Sequence, residues 1–331
     1  MNALYALIMV LALVIIPLLG AGAAEWHVLF GVVVPYLAFV AFVIGFVYKV
    51  VEWGRSAVPF KIPTTGGQQE SLPWIRQNRI DSPSTKVGVV IRMILEVVLF
   101  RSLFRNTRVR LFKDDSQLSY GSSKFLWLGA LAFHMSFFVI LARHMRFFTE
   151  PVPALFSWIE TLDGIMQIGV PVIFATEIVI LLALAYLFLR RIVVPQMRYI
   201  SLPADYFALF LLFAIVVSGI LMRYFVRADI VDIKVLSMGL VQLQPQIPSG
   251  IGALFYTHLF LVCSLLVYFP WSKLMHLGGV FLSPTRNMPN DNRMRRHVNP
   301  WNYPVKLHSY EEWEDEYREH MKEAGIPVEK E

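Results

Sequence analysis

The chain has 331 residues, 56% of them hydrophobic and only 16% charged, with a mean hydropathy of +0.55. A soluble globular chain carries about 25% charged residues, so the composition points to a membrane before the net charge of +6 points to nucleic acid. The single cysteine, Cys263, excludes an internal disulfide framework, an all-cysteine zinc site and an iron–sulfur cluster built from this chain alone.

Six apolar runs reach the roughly 20 residues that a helix needs to cross a bilayer: 3–21, 28–48, 124–147, 165–189, 204–226 and 250–272. The first has no basic stretch before it and is long for a leader, and the second follows after a short turn. Residues 1–49 therefore read as a retained transmembrane hairpin. Residues 50–121 read as a basic loop. Its part from Gly54 to Ser84 is rich in Pro, Gly and Gln, and a shorter apolar run follows, Val87 to Leu103. There Arg92 and Glu96 stand four apart on one helical face, and the run leads into Arg101, Arg105, Arg108 and Arg110. This pattern predicts an interfacial amphipathic helix with its basic end among anionic head groups. As a seventh span it would bury an Arg–Glu pair in hydrocarbon, which is costly.

Residues 122–276 hold spans three to six, and residues 277–331 form a polar tail. Ser283 to Pro304 reads as an extended arm with the basic residues Arg293, Arg295 and Arg296. Ser309 and Glu312 fit a capping box. They predict a charged helix from Tyr310 to Ala324, stopped by Gly325 and Pro327. Trp301, Tyr303, Trp313 and Tyr317 mark the tail as a surface that docks a partner, with a solvated tail as the alternative.

Six spans place both termini on one side, side A, with 49–124 and 190–203. That side holds 25 of the 30 Lys and Arg residues, and side B holds only Arg143, Arg146, Arg223, Arg227 and Lys234. The positive-inside rule makes side A cytoplasmic. The chain is thus expected in the cytoplasmic membrane, multi-pass, with cytoplasmic termini.

Of eight histidines, four sit in polar or boundary positions, at His27, His297, His308 and His320. The other four fall on two helices, His134 and His144 on span three, and His258 and His276 on span six and its end. Ionisable residues inside a membrane are rare and usually functional. Haem iron takes two axial ligands, and neutral imidazole suits it. One His from each of two helices clamps a flat macrocycle, and two pairs stack two haems across the membrane. Spans three and six run in opposite directions, so equal depth pairs His134 with His276 and His144 with His258. The spacings differ, ten residues against eighteen, or about 15 Å against about 27 Å of helix. Pro270 lies between His258 and His276 and predicts a break that reconciles them.

These spacings, on two spans separated by two others, resemble the haem b (gamma) subunit of respiratory nitrate reductase over spans three to six. The tail narrows the likeness. Phe281-Leu-Ser-Pro-Thr-Arg-Asn-Met-Pro-Asn-Asp-Asn-Arg, His297-Val-Asn-Pro-Trp-Asn, Tyr310-Glu-Glu-Trp-Glu-Asp-Glu and Ala324-Gly-Ile-Pro-Val-Glu resemble the DsrM family, the membrane cytochromes b of the sulfite-reduction-associated DsrMKJOP complex. Hdr-like menaquinol oxidoreductase subunits look similar. The resemblance implies an all-α membrane protein of six transmembrane helices, with a gamma-like bundle holding two haems b, an interfacial helix and a polar tail. It implies electron exchange with menaquinone or menaquinol near the side-B haem, and a cytoplasmic iron–sulfur partner, DsrK, resembling heterodisulfide reductase. DsrJ, DsrO and DsrP would be the other subunits. The gamma family has a Lys near its quinone-side haem, in the helix after the first His pair. This chain has no Lys between Lys124 and Lys234, so other groups must serve.

Arg143, Arg146, Glu160, Asp163, Arg223 and Arg227 gather at side B by topology. Arg143 and Arg146 flank His144 and, with Arg223, are candidates to pair haem propionates, against ordinary interfacial snorkelling. Quinol oxidation needs a proton acceptor, and Glu160 and Asp163 are the choices. Glu177, placed near the middle of span four, reads as a proton-path residue or a buried hydrogen bond. The sequence carries no phosphate-binding Gly-rich loop, no Cys-x-x-Cys and no haem c motif, and the basic loop suits a membrane surface rather than nucleic acid. The expected role is the membrane subunit of a menaquinol:acceptor oxidoreductase in dissimilatory sulfur metabolism. The rivals are a His-lined transporter or proton conductor without haem, and a purely structural anchor.

Overall fold

The computed structural model describes residues 1–57, 76–112, 117–167, 171–291 and 307–330. The predicted roles of Arg293, Arg295, Arg296, His297, Trp301 and Tyr303 lie outside the described residues.

In chain order the helices are α1 (Asn2–Gly22), α2 (Leu29–Gly54, whose first turn is π-helical), α3 (Lys86–Leu99) and α4 (Arg101–Arg105). The hairpin β1 (Thr107–Phe112) and β2 (Gln117–Ser122) follows, then α5 (Lys124–His144) and α6 (Ala154–Asp163). A second small hairpin, β3 (Gly164–Met166) with β4 (Ile173–Phe174), leads into α7 (Ala175–Val193) and α8 (Pro195–Ile200). Then come α9 (Pro203–Ile220), continued by a π-helical turn to Val226, α10 (Ile230–Val241) and α11 (Ala253–Tyr268). The chain ends with α12 (His276–Leu282), α13 (Pro284–Asn287) and α14 (Tyr310–Glu323). The protein is mainly helical, and the all-α expectation is corrected by the two hairpins.

Among the described residues, five helical stretches are long and apolar enough to cross a membrane: Asn2–Gly22, Leu29–Gly54, Lys124–Phe147, Pro203–Val226 and Ala253–Trp271. The predicted fourth span begins ten residues late, because Gly164–Met166 and Ile173–Phe174 pair as strands and the helix starts only at Ala175. The reason is local: Asp163 accepts from the Thr176 amide at 3.0 Å and from its hydroxyl at 2.6 Å. That satisfies a donor that a starting helix leaves without a partner. The resulting α7 has 19 residues and carries Glu177 in its first turn and Arg190 and Arg191 in its last. Glu177 is thus at a helix end and not near mid-span.

The helices pack as a bundle. α5 lies on α7, α7 on α9, and α9 on α11, while the α1–α2 hairpin covers α9 and α11. Ile180, Leu184 and Leu212 form one core with Phe133, Phe137 and Ile140 packed against them. Val10, Leu211 and Leu261 form another. Outward positions such as Leu19, Ile44 and Leu182 are exposed and apolar, as a lipid-facing surface requires.

α3 is amphipathic as expected, with Val87, Ile91, Ile94 and Val98 exposed along one face. Its polar residues act differently from the prediction. Arg92 is turned inward, and Glu96 accepts from the Ser102 amide at 3.1 Å and from its hydroxyl. The chain breaks at Phe100, which has φ 50, so α4 leaves in a new direction. There Arg101 and Arg105 pair with Asp81, the first at 3.2 Å, so these two arginines face a carboxylate as well as any head group. Residues 284–287 are helical where an extended arm was expected.

The capping box of α14 is present, with the Ser309 hydroxyl accepting from the Glu312 amide and Glu312 accepting from the Ser309 amide, both at 3.2 Å. Gly325, at φ 70, ends the helix in the left-handed region that favours glycine. Glu314 folds the chain end back by accepting from the amides of Glu329 at 3.0 Å and Lys330 at 2.9 Å. These bonds, the Glu329 amide first, hold its carboxyl below its ordinary value of 4.5. A depressed carboxyl stabilises the fold-back fully above the unfolded value and loses it as pH falls through the folded one. Amide protection at 329–330 is expected to be steady near neutral pH, to begin falling below about pH 4.5, and to be lost only as pH passes the lower folded value. Glu314→Gln is expected to weaken it near neutral pH and to remove its dependence on acid, read by hydrogen exchange.

Candidate site: two facing histidine pairs

The chain brings the four histidines together in the predicted pairs. His144 and His258 face each other with ring centroids 6.4 Å apart and planes 14° from parallel. His134 and His276 stand 5.9 Å apart with planes at 89°. The spacing mismatch is resolved at Pro270. α11 stops at Tyr268, two 3-10 turns follow over Phe269–Trp271 and Lys273–Met275, and His276 opens α12.

Each ring is oriented through Nδ1. His134 donates to the Ala130 carbonyl and His144 to the Ile140 carbonyl, both at 2.7 Å, one turn back on α5. His276 donates to the Lys273 carbonyl at 2.9 Å. His258 lies 2.9 Å from the Ser218 hydroxyl, which itself donates to the Ile215 carbonyl at 2.9 Å and so accepts from the imidazole. A carbonyl can only accept, so Nδ1 carries the proton and Nε2 keeps its lone pair in all four rings. This is the outer hydrogen bond that metal-binding histidines usually make.

Two imidazoles with a metal between them at roughly 2 Å from each nitrogen bring their centroids to about 6 Å. Both pairs meet that test. Among the described residues no three His, Cys, Asp or Glu side chains converge on one point. The donor set is therefore two imidazoles per level, which suits an iron whose other four ligands come from a macrocycle. Phe100 and Phe133 meet the His134 ring edge-on at 4.9 and 5.0 Å.

The predicted polar residues separate into two groups. Arg143, Asp163, Glu177 and Arg223 form one cluster, with Arg143 and Asp163 buried and Glu177 and Arg223 half-buried. Arg143 is ion-paired with Asp163 at 3.3 Å and with Glu177 at 3.4 Å. The guanidinium of Arg143 lies 3.6 Å from the Phe174 ring centroid and that of Arg223 lies 4.2 Å from it. Arg223 donates to the Val172 carbonyl, and Tyr224 donates to Glu177 at 2.6 Å. Arg146 and Glu160 form a second, half-exposed pair, with Arg146 Nη1 donating to both carboxylate oxygens at 2.6 and 2.8 Å. Arg227 is exposed, at φ 53. α6 presents a polar side to the bundle through Glu160 and Asp163 and an apolar side outward. Leu155, Trp158 and Leu162 are 63%, 71% and 85% exposed, the pattern of a helix lying in the membrane interface. Sequence reasoning missed Ser218, Phe174, Thr176 and Tyr224. Only Tyr224, beside Arg223 near a span end, carried a signal that could have found it.

Residues 89–290 match the nitrate reductase gamma subunit family. The chain is 48% identical over 281 residues to the Hdr-like menaquinol oxidoreductase cytochrome b-like subunit of Archaeoglobus fulgidus, covering 83% of each chain. It is 46% identical over 274 residues to the protein of the same description from Archaeoglobus profundus, covering 81% of each. With well over half its length matched by that family and its relatives aligned over most of theirs, the chain belongs to the nitrate reductase gamma subunit family.

Proposed function

We propose that the chain is the di-haem cytochrome b subunit of a menaquinol-oxidising membrane complex, with six crossings that include α7. The observation that carries this reading is the two histidine pairs, each poised with Nε2 free. His144 and His258 would hold one haem b, and His134 and His276 the second. When bound, the haems supply one-electron transfer at two depths in the membrane. The chain's own part is to fix the four imidazoles, exclude water with the aromatic rings around them, and place a proton acceptor near the His144 level. Glu160 suits that last task, since its carboxylate reaches the surface beside Arg146, two residues from His144, and α6 offers an apolar face to an incoming quinol. Asp163 is already engaged by Thr176 and Arg143 and suits a supporting role. In place of the missing lysine, the Arg143–Glu177–Tyr224 cluster orders this end of the bundle. Arg143, Arg146 and Arg223 all face carboxylates or a carbonyl here, so propionate pairing would require them to share those partners.

The charge asymmetry supports cytoplasmic termini in the cytoplasmic membrane. Electrons would run from menaquinol on side B through the His144/His258 level, then the His134/His276 level, to a cytoplasmic iron–sulfur subunit resembling heterodisulfide reductase. The name of the Archaeoglobus relatives favours such an Hdr-like partner. The tail motifs favour DsrK, with DsrJ, DsrO and DsrP, in dissimilatory sulfur metabolism. The test is the redox spectrum of membranes bearing the intact complex. A menaquinol analogue should reduce two b-type haems per chain. A protein without reducible b-type absorption would be the transporter instead, and haems that a quinol cannot reduce would leave only an anchor.

The Ser218 bond gives a finer check. Loss of an outer hydrogen bond to a ligating histidine typically costs roughly 10–100-fold in affinity or activity. Ser218→Ala is expected to weaken haem retention at the His144/His258 level within that range and to shift its midpoint potential, leaving the other haem unchanged in a redox titration.

A further inference from the structure

His276 is the most weakly held of the four ligands. It is exposed, it opens a helix of seven residues, and its Nδ1 reaches only the carbonyl of Lys273, three residues back. α11 has already ended at Tyr268. Something beyond α12 must keep this imidazole facing His134.

The residues after α12 supply it. Arg92, on α3, is 1% exposed, so its guanidinium lies inside the protein and not among head groups. Nη2 donates to the carbonyl of Thr285 at 2.9 Å and also to that of Arg286, while Nη1 donates to the carbonyl of Asp81 at 3.1 Å. One side chain thus ties together the turn before α3 and the segment that follows α12. The Asn290 amide donates to the Pro83 carbonyl at 2.7 Å, a second tie between the same two stretches. The other end of α3 reaches the opposite ligand, because Phe100, its C-terminal cap, meets the His134 ring at 4.9 Å. One short helix therefore touches His134 at one end and grips the chain that carries His276 at the other.

We propose that Arg92 is a positioning residue for the His134/His276 pair: by gripping the Thr285 and Arg286 carbonyls it anchors the segment after α12 and fixes the angle at which His276 faces His134. The inference rests on the di-haem reading for its spectroscopic consequence, and on the Arg92 contacts alone for its structural one. A planar fork is needed, since three carbonyls from two segments are reached by two nitrogens in one plane. A lysine ammonium keeps the charge and loses the fork.

The test uses the full chain in its complex, with Arg92→Lys as the main variant and Arg92→Leu as the harsher one. Amide exchange over 283–291 is expected to rise in both. The low-spin ferric signal of a bis-imidazole haem reports the angle between the two rings, so the near-parallel and perpendicular pairs should give two distinct signals. In Arg92→Lys the signal of the perpendicular pair should shift and broaden while the other stays fixed. In Arg92→Leu haem content should fall by about half, with His144/His258 still occupied. A folded Arg92→Lys protein with unchanged exchange over 283–291 overturns the anchor. Raised exchange with both ferric signals unchanged overturns its link to His276. A wild-type complex with no haem signal removes the function proposed above and, with it, the His276 half of this proposal, while exchange still decides the anchor.

Discussion

Alanine at His144 or at His258 is expected to leave one haem per chain and to stop menaquinol from reducing it, whereas alanine at His134 or His276 should leave a haem that menaquinol still reduces. The asymmetry follows from depth. His144 is the last residue of α5, next to Arg143 and two residues from Arg146, and Arg146 holds Glu160. Glu160, the acceptor proposed for the quinol proton, is at that level. His134 lies ten residues away, about 15 Å along the helix, among Phe100, Phe133 and the end of α3. Removing a ligand should cost more than the roughly 10–100-fold attached to an outer hydrogen bond, so the loss of quinol-driven reduction should exceed that range. Dithionite, which needs no quinol site, should still reduce whichever haem remains. The comparison is read from haem content and from difference spectra with each reductant. Two haems retained in His144→Ala would show that the ligand assignment is wrong, and quinol reduction surviving in that variant would show that the quinol reaches the other level.

Much of this site was legible because membrane chains tolerate so few ionisable residues. Four histidines on two apolar helices stood out, and the opposite directions of those helices set the pairs. Pro270 announced the break that lets an eighteen-residue spacing match a ten-residue one. What holds the rings in place was not legible. The carbonyls of Ala130, Ile140 and Lys273 belong to every sequence alike, and Ser218 comes from a different helix, forty residues before His258. The start of α7 was misplaced because hydropathy weighs only apolarity. Residues 165–174 are apolar enough to continue a helix, yet Asp163 captures Thr176 and starts the helix there. Arg92 was read from spacing only as one of two polar residues on one face of an interfacial helix. Two of its three carbonyl partners lie nearly two hundred residues later in the chain, which no local pattern encodes. The same limit applied to α6, whose ten residues are too short for a span and whose exposed face becomes informative only when Asp163 is seen buried against the bundle and Glu160 paired with Arg146.

The substitution expected to destabilise the protein most is Arg143→Leu. Its side chain is 9% exposed, that of Asp163 4% and that of Glu177 14%, so water screens this cluster little. Two cations, Arg143 and Arg223, lie against the Phe174 ring and two anions balance them. With Arg143 removed, Asp163 keeps only the two bonds from Thr176, and Glu177 keeps the bond from Tyr224. Breaking a buried charge pair from one side costs about 3–5 kcal/mol, because the remaining charge stays buried without compensation. Arg143→Lys should cost less, since the charge survives while the stacked guanidinium is lost. Adding Glu177→Gln to Arg143→Leu removes one stranded charge, and about 0.5–3 kcal/mol should return as coupling between contacting residues. Unfolding in detergent, followed by loss of the haem absorption, measures the series. A cost below about 1 kcal/mol for Arg143→Leu would mean that the cluster behaves like a solvated surface pair. The consequence for the site is direct: Arg143 ties α5 to the start of α7 and to the end of α6 at the residue before His144. Loosening it should therefore release the His144/His258 haem before the His134/His276 haem as denaturant rises.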